Sequence, residues 1–473
     1  MIAGDRSAQS EQRFFDQFFR AAPPEVDVEA IRRKWLSLRP PYQVDDRQLP
    51  LPVWVQRGFT ETGEQAWAAL YQDVGRIDLS RAFCVYVHIP FCANRCSFCD
   101  CYSFQLKRHR AQHIEAYIAL LTQEMRLWSR LGTLAHRPVS TVHFGGGTPT
   151  FLGKEPFSRM VQDLRKNFCT GPQTEWALES TSSELTDEMF SLLDALGFTR
   201  LHVGMQSLED PVRRLINRRE PAAVALEKIS RALEMGWVVS VDLIFGLPGQ
   251  SLEGFLADVK NLAEVGVHGF SLYELQLSSR NRKFAEMHGL VNRGHLANYF
   301  LFQAGAHLLA SLGYNKNLFN HFANEKDENL YATFPGRGED CLALGTIADG
   351  VFGDYHYRHP TYKTYCRRVS EEFPALEGGL RRNELENRLQ PIITAILGGS
   401  IPPELFSYLE VKVGDSDETL LHRWLNLALL EEDADGGHLR LTANGSWFTG
   451  NMLSQLLWLQ RDAPMVFDQI RKE

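Results

Sequence analysis

The chain has 473 residues, 50 Lys plus Arg against 58 Asp plus Glu, a formal net charge of −8 and 44% hydrophobic residues. That length is ample for a large core and points to two or three domains at about 150 residues each, or to a βα barrel that takes roughly 250 residues as one unit. The mildly acidic balance argues against a broad nucleic-acid-binding face, and no apolar run of about 18 residues is present to span a membrane. The polar N-terminus Met1-Ile2-Ala3-Gly4-Asp5-Arg6 lacks the core of a signal peptide, and eight cysteines are too few for a disulfide scaffold. A reducing, cytoplasmic setting is expected. The cysteines are unevenly placed: Cys92, Cys96, Cys99 and Cys101 share one ten-residue stretch, with Cys84 just upstream.

Residues 1–83 read as an N-terminal extension. A helix carries Phe14, Phe15, Phe18 and Phe19, and a proline-marked, extended or looped stretch follows from Arg39-Pro40-Pro41 to Leu49-Pro50-Leu51-Pro52. From Cys84 the sequence repeats a short apolar run, a turn and an amphipathic helix. The expected strands are Cys84–Ile89, Thr141–Phe144, Glu175–Leu178, Arg200–Met205, Val238–Ile244 and Phe270–Leu275. Helical spacing marks His113–Leu131, Leu185–Leu196, Ala222–Met235 and Leu252–Val265. Strands alternating with helices predict parallel pairing through right-handed crossovers. Six units are too few to close an eight-stranded barrel, so the fold class is α/β, a partial (βα)6 barrel over residues 84–290.

Residues 291–375 form a substrate-side extension, with a helix over Gly294–Gly313 and a segment Tyr314–Pro360 rich in Asn, His, Gly and aromatics. Residues 376–473 read as a mainly helical, winged-helix-like domain, with a hairpin Glu431–Thr442 turning at Asp435-Gly436-Gly437 and a helix Asn444–Leu459. No basic cluster accompanies it, so a structural cap is favoured over a DNA reader.

In a parallel αβ barrel the loops at the strand C-termini surround one cavity. Here each expected strand delivers a polar or glycine feature to that rim. The first runs into the cysteine loop and the second into Gly145-Gly146-Gly147-Thr148-Pro149; the third ends at Glu179 and the fourth at Gln206. The fifth carries Asp242 before Gly246-Leu247-Pro248, and the sixth carries Tyr273, Glu274 and Gln276. Thiolates spaced three and then two residues apart can wrap a soft-metal site. Three of them would hold three irons of a [4Fe–4S] cluster and leave the fourth open to a ligand. A zinc site using Cys101 and a fully ligated electron-transfer cluster are the alternatives; the lack of a second CxxC pair weighs against zinc. Glycines suit a backbone that approaches a ligand closely, and Glu179, Gln206 and Asp242 could bind hydroxyls or an amine.

These segments, together with Tyr86-Val87-His88-Ile89-Pro90-Phe91, Val203-Gly204-Met205-Gln206-Ser207, Asn217-Arg218 and His321-Phe322-Ala323, resemble the radical S-adenosylmethionine (SAM) superfamily. The likeness is to its oxygen-independent coproporphyrinogen III oxidase branch, which includes heme chaperones and class C methyltransferases. The resemblance implies Cys92, Cys96 and Cys99 as cluster ligands. It places Tyr86, Gly146 and Glu179 about a first SAM, and Phe98, Gly147, Thr148, Gln206, Arg218 and Asp242 about a second. Gln276 and Asp349 fall where the branch uses backbone contacts to the two SAMs. Cys101 matches the extra cysteine of the oxidases.

The stretch Arg39–Asp46 has nothing equivalent to the oxidases' Gly-Pro-Arg-Tyr-Thr-Ser-Tyr-Pro, and the aromatic- and His-rich loop Gly353–Pro360 supplies only Arg358 against a tetracarboxylate. The leading expectation is therefore class C methylation at an sp2 carbon of a small-molecule substrate, with Cys101, His321, His356 and Tyr357 as catalytic candidates. Oxidative decarboxylation of a porphyrinogen is second, and a heme carrier without SAM turnover third. A flavodoxin- or ferredoxin-type electron donor is the expected partner of a monomeric chain, with neither nucleic acid nor membrane.

Overall fold

The computed structural model describes residues 2–460 apart from 51–56, 76, 108–109, 280, 288, 291–293, 370–373, 415–416 and 434–436. Side chains are described from residue 10 onward, apart from that of residue 284. Its centre is a run of parallel strands: β1 (Phe83–Ile89), β2 (Val139–Gly146), β3 (Glu175–Ser180), β4 (Arg200–Gln206), β5 (Val238–Phe245) and β6 (Gly269–Glu274). These are the six strands expected from the sequence, each within two residues at either end. Val, Ile, Leu and Phe fill their buried positions, as strands covered by crossover helices require. The expected helices are Arg110–Ser129, Asp187–Ala195, Ala222–Glu234, Leu252–Val265 and His295–Ser311. Ser251 and Thr186 start two of them by accepting the backbone N–H of Gly254 and Met189. A further helix, Lys154–Asn167, follows β2.

A seventh parallel strand, β7 (Asp340–Leu344), pairs with β1 from the other side. Its apolar run Cys341-Leu342-Ala343-Leu344 is fully buried, and no helix follows it, which removes the βα signature that marked the others. The parallel order is β7-β1-β2-β3-β4-β5-β6, within a 13-stranded sheet. Beyond β6 lie His321–Ala323 and Asn315–Leu318; beyond β7 lie Asp349–Phe352, Tyr355–Arg358, Gly378–Arg381 and Glu61–Thr62. All of these are antiparallel.

The helix Ile2–Phe18 brings Phe14, Phe15 and Phe18, with Phe19, onto Phe300 of the helix His295–Ser311. The stretch after residue 38 is looped over its described part except for one helical turn, Val44–Asp46. Tyr42 in it is fully buried, accepting from Trp424 Nε1 at 2.7 Å. In the C-terminal region Ser400–Ile401, Leu439–Leu441 and Leu430–Glu432 form a small antiparallel sheet. The hairpin is thus present, although Asp435 and Gly436 lie outside the described residues. The expected helix Asn444–Leu459 is two helices, Ala443–Trp447 and Thr449–Gln460. Among the described residues no helix is long and apolar enough to cross a membrane.

Candidate active site

The strand ends surround one cavity of about 820 Å³, near the upper end for small-molecule sites. Cys92, Cys96, Cys99 and Cys101 line it from the loop after β1. That loop is stitched in place on two sides. Gly147 N donates to Ile89 O at 2.7 Å and Thr148 N to Phe91 O at 2.8 Å, so the glycine turn after β2 lies against its entry. Ser97 N donates to Ile216 O, and Asn217 Nδ2 to Arg95 O at 2.7 Å, fixing its middle. Thr148 Oγ1 lies 3.5 Å from Cys92 Sγ.

Two glycines here admit no side chain. Gly146 has φ +104°, and a Cβ on it would meet the His88 ring at 2.5 Å; one on Gly147 would meet Phe91 O at 2.6 Å. His88 Nε2 donates to the Tyr102 carbonyl at 3.1 Å, which leaves Nδ1 to accept from the Tyr86 hydroxyl at 3.2 Å. Burial pushes His88 below its usual pKa and keeps it neutral.

The cysteines differ in acidity. Cys99 falls to about 6, chiefly through the hydrogen bond from Cys101, against the pull of burial. Cys92 is pushed up to about 11 by burial, and Cys96 rises for the same reason with Arg218 opposing. Cys101 is raised, first by its bond to Cys99 and then by burial.

Across the cavity, Glu179 accepts from His143 Nε2 at 3.0 Å and Gly146 N at 3.4 Å. Burial would raise its pKa, but His143 prevails and holds the carboxylate below the usual range. The His143 ring stacks on Tyr331 at 4.4 Å, and Tyr331 on Tyr86 at 5.2 Å. Asp242 lies 2.5 Å from His202 Nε2. Burial lowers the pKa of that imidazole, but Asp242, reinforced by Glu179, outweighs burial and raises it. Gln206 sits at φ +69°, with Oε1 buried and lacking a partner; Arg218 Nε is buried likewise, its guanidinium 5.9 Å from the Phe98 ring centre.

These are features of a ligand-ready site. Buried polar atoms without partners are scarce in folded proteins, and here two belong to residues that line a cavity rich in thiols. The three thiols Cys92, Cys96 and Cys99 could hold an iron–sulfur cluster, and the glycine cradle with Glu179, Gln206, Arg218 and Asp242 could hold SAM. Among the described residues, no three His, Cys, Asp or Glu side chains converge on a single-ion position, as a mononuclear zinc centre would need.

The cavity lining contains Tyr86, Phe98, Gly146, Gly147, Thr148, Glu179, Gln206, Arg218, Asp242, Gln276 and Asp349 as well as the four cysteines. Gln276 is exposed, donating to Glu274; Asp349 accepts from Arg358 Nε at 2.6 Å. Three catalytic candidates lie elsewhere. His321 is 2% exposed, pairing with Asp327 Oδ2 at 2.8 Å and Ser271 Oγ at 2.9 Å. Tyr357 is packed on Trp128 and Phe352, its hydroxyl bonded to the backbone of Ala343. His356 is on the same antiparallel strand, paired with Val351 and Leu380, and does not line the cavity. The expected pocket loop Gly353–Pro360 is mainly a sheet strand; only Arg358 reaches the lining.

The sequence reading missed His202, which shares the inward face of β4 with Gly204 and Gln206 at a spacing of two. It also missed Arg47. This residue forms a tight ion pair with Glu274 at the end of β6 and stacks 3.6 Å over Trp447.

Residues 86–262 match the Radical SAM superfamily. The chain is 31% identical over 360 residues to the oxygen-independent coproporphyrinogen III oxidase of Salmonella typhimurium, covering 72% of this chain and 76% of that protein. It is 27% identical over 338 residues to the anaerobilin synthase of Escherichia coli O157:H7, covering 68% and 74%. Against the heme chaperone HemW of Mycobacterium tuberculosis it is 31% identical over 194 residues, covering 41% and 49%. The solved coproporphyrinogen III oxidase (HemN) of Escherichia coli, a radical SAM enzyme, superposes with a TM-score of 0.72 at 26% identity over 84% of this chain and 94% of that one. The fold is thus that of a radical SAM enzyme, a class whose cofactors are a [4Fe–4S] cluster and SAM. Within that class, the chain belongs to the oxygen-independent coproporphyrinogen III oxidase family.

Proposed function

We propose that this radical SAM enzyme acts on a tetrapyrrole, and that its reaction is the oxidase type: oxidative decarboxylation of a propionate side chain. The observation that carries the reading is the extent of the oxidase likeness, 76% of the Salmonella protein, combined with a cavity in which Cys101 stands beside the three-cysteine set. The names of the other two relatives, an anaerobilin synthase and a heme chaperone, also denote tetrapyrroles. These likenesses weigh against the methyltransferase expected first from the sequence.

When bound, the cluster and SAM supply reductive carbon–sulfur cleavage and hence a hydrogen-abstracting radical. The chain's own residues do the rest. Cys92, Cys96 and Cys99 anchor the cluster. Glu179, kept ionised by His143, accepts hydrogen bonds from an amine or hydroxyls of SAM. Asp242, held by His202, does the same for a second SAM beside Gln206 and Arg218. The aromatic stack Tyr86–Tyr331–His143 closes one wall and excludes water. In this reading residues 84–290 generate the radical, residues 291–375 shape the substrate side through Tyr331 and Arg358, and residues 1–83 and 376–473 support them.

A second reading, methyl transfer to an sp2 carbon, is favoured by the charge of the lining. Asp100, Glu179, Asp242, Glu274 and Asp349 face Arg95, Arg218 and Arg358, a poor complement to four carboxylates. One experiment separates the two. Dithionite-reduced enzyme is given methyl-deuterated SAM with coproporphyrinogen III or with heme, and the products are weighed by mass spectrometry. Carbon dioxide and a vinyl product with unlabelled 5′-deoxyadenosine support decarboxylation. Deuterated 5′-deoxyadenosine with S-adenosylhomocysteine supports methyl transfer, and 5′-deoxyadenosine without change to either tetrapyrrole refutes the substrate class.

A further inference from the structure

The loop between β7 and the strand Asp349–Phe352 places Ile347, Ala348 and Asp349 on the cavity wall. Ile347 has φ +58°, a conformation that β-branched side chains rarely adopt. Such a conformation persists only where its surroundings over-determine it, and here nearly every polar group of the loop is spoken for. Gly345 N donates to Glu124 Oε2 at 3.0 Å, and Thr346 N to the Tyr117 hydroxyl at 3.0 Å. Thr346 Oγ1 and Ile347 N both donate to Pro360 O, at 2.9 and 3.1 Å. His359 closes the far side, with its backbone N–H 3.0 Å and its Nδ1 2.9 Å from Ala348 O. Facing a carbonyl, Nδ1 carries a proton.

His359 Nε2 then meets Glu124 Oε1 at 2.5 Å, and both side chains are wholly buried. Glu124 also accepts from Trp128 Nε1 at 3.2 Å and from the Tyr365 hydroxyl. Two backbone N–H groups and one carbonyl of the strained loop are thus tied to the Glu124–His359 pair and its neighbour Tyr117. Tyr117 extends the tie, because its hydroxyl donates to His88 O at 2.8 Å on β1, just ahead of the cysteine loop.

We infer that Glu124 and His359 are positioning residues for SAM. The pair holds residues 345–349 in a conformation that the loop would otherwise leave, and so fixes the stretch of cavity wall made by Ile347, Ala348 and Asp349 against which the cofactor binds. The inference rests on the radical SAM assignment alone and is indifferent to which tetrapyrrole reaction follows.

The test uses the anaerobically reconstituted holoenzyme. In Glu124→Gln, iron content and visible absorbance should remain those of the wild type, while SAM binding by calorimetry weakens roughly tenfold. KM for SAM should rise more than kcat falls, and amide exchange at Gly345, Thr346 and Ile347 should quicken. Ile347→Gly removes the strain, so Glu124→Gln should cost little further affinity in the Ile347→Gly background; this coupling would not arise if Glu124 merely supported the fold. Unchanged SAM affinity and loop exchange in Glu124→Gln, or an equal loss of affinity in both backgrounds, overturns the inference. Should Glu124→Gln not fold, Tyr117→Phe decides: faster exchange at Thr346 with weaker SAM binding supports it, and no change in either refutes it.

Discussion

Among the described residues four histidines pair with carboxylates, and they divide into two kinds. His143–Glu179 and His202–Asp242 sit at the cavity, with the carboxylate side chains 41% and 22% exposed. His321–Asp327 and His359–Glu124 are sealed in the interior, none of their side chains above 2%. The same chemical pair is open to a ligand in one region and closed in the other. In the closed region both oxygens of each carboxylate already have protein donors: Asp327 accepts from Arg200, Ser240 and His321, Glu124 from four groups. A carboxylate so surrounded has nothing left to offer a substrate. The distinction between binding and architecture therefore lies in the saturation of the acceptor, not in the residue types.

The largest effect should follow from breaking a closed pair. Asp327→Asn takes from the buried Arg200 the nearer of its two carboxylates, leaving Glu175 at 4.0 Å, and should cost about 3 kcal/mol of unfolding free energy, read from denaturant titration. Asp242→Asn, in an open pair, should lower SAM-dependent turnover about 100-fold, while stability stays within about 1 kcal/mol. If these two outcomes were exchanged, the division would be wrong. Gly146→Ala sits between them: a left-handed alanine driven against His88 should cost about 1–3 kcal/mol and weaken SAM binding together.

Smaller and opposite in sign are the pH effects. His202 and His359 have raised pKa values in the fold, so the stability they give is complete below about 6.5, the unfolded value, and is lost as pH rises through the folded one. His321 and His356 are lowered, His356 to about 3, both mainly by burial, so their stability is complete above about 6.5 and is lost as pH falls toward the folded value. Melting temperature against pH should accordingly lose part of its alkaline slope in His202→Asn and part of its acid slope in His356→Gln. The smallest effect belongs to Gln276→Ala, whose exposed side chain bonds only Glu274; SAM affinity should change by about twofold or less.

Much of this was legible in the sequence because it follows local rules. The period-two and period-3.6 patterns located the strands and helices around the barrel, and the strand-end rule gathered the cysteines, glycines, Glu179, Gln206 and Asp242 on one rim. What was illegible is long-range. β7 is a parallel strand without its own crossover helix. His321 and Tyr357 look like pocket residues by composition, yet Asp327, Ser271 and the Ala343 backbone absorb their polar atoms. His202 was hidden because a single histidine within an apolar strand gives no local sign of a partner 40 residues later.

Arg47 has a consequence for the order of biosynthesis. Its guanidinium is clamped between Glu274, on the cavity rim, and the indole of Trp447 near the other end of the chain. A growing polypeptide carries the cysteine loop and all of β1 to β7 outside the ribosome before Trp447 is made. The clamp on the β6 rim is therefore completed only after the cluster-binding loop exists.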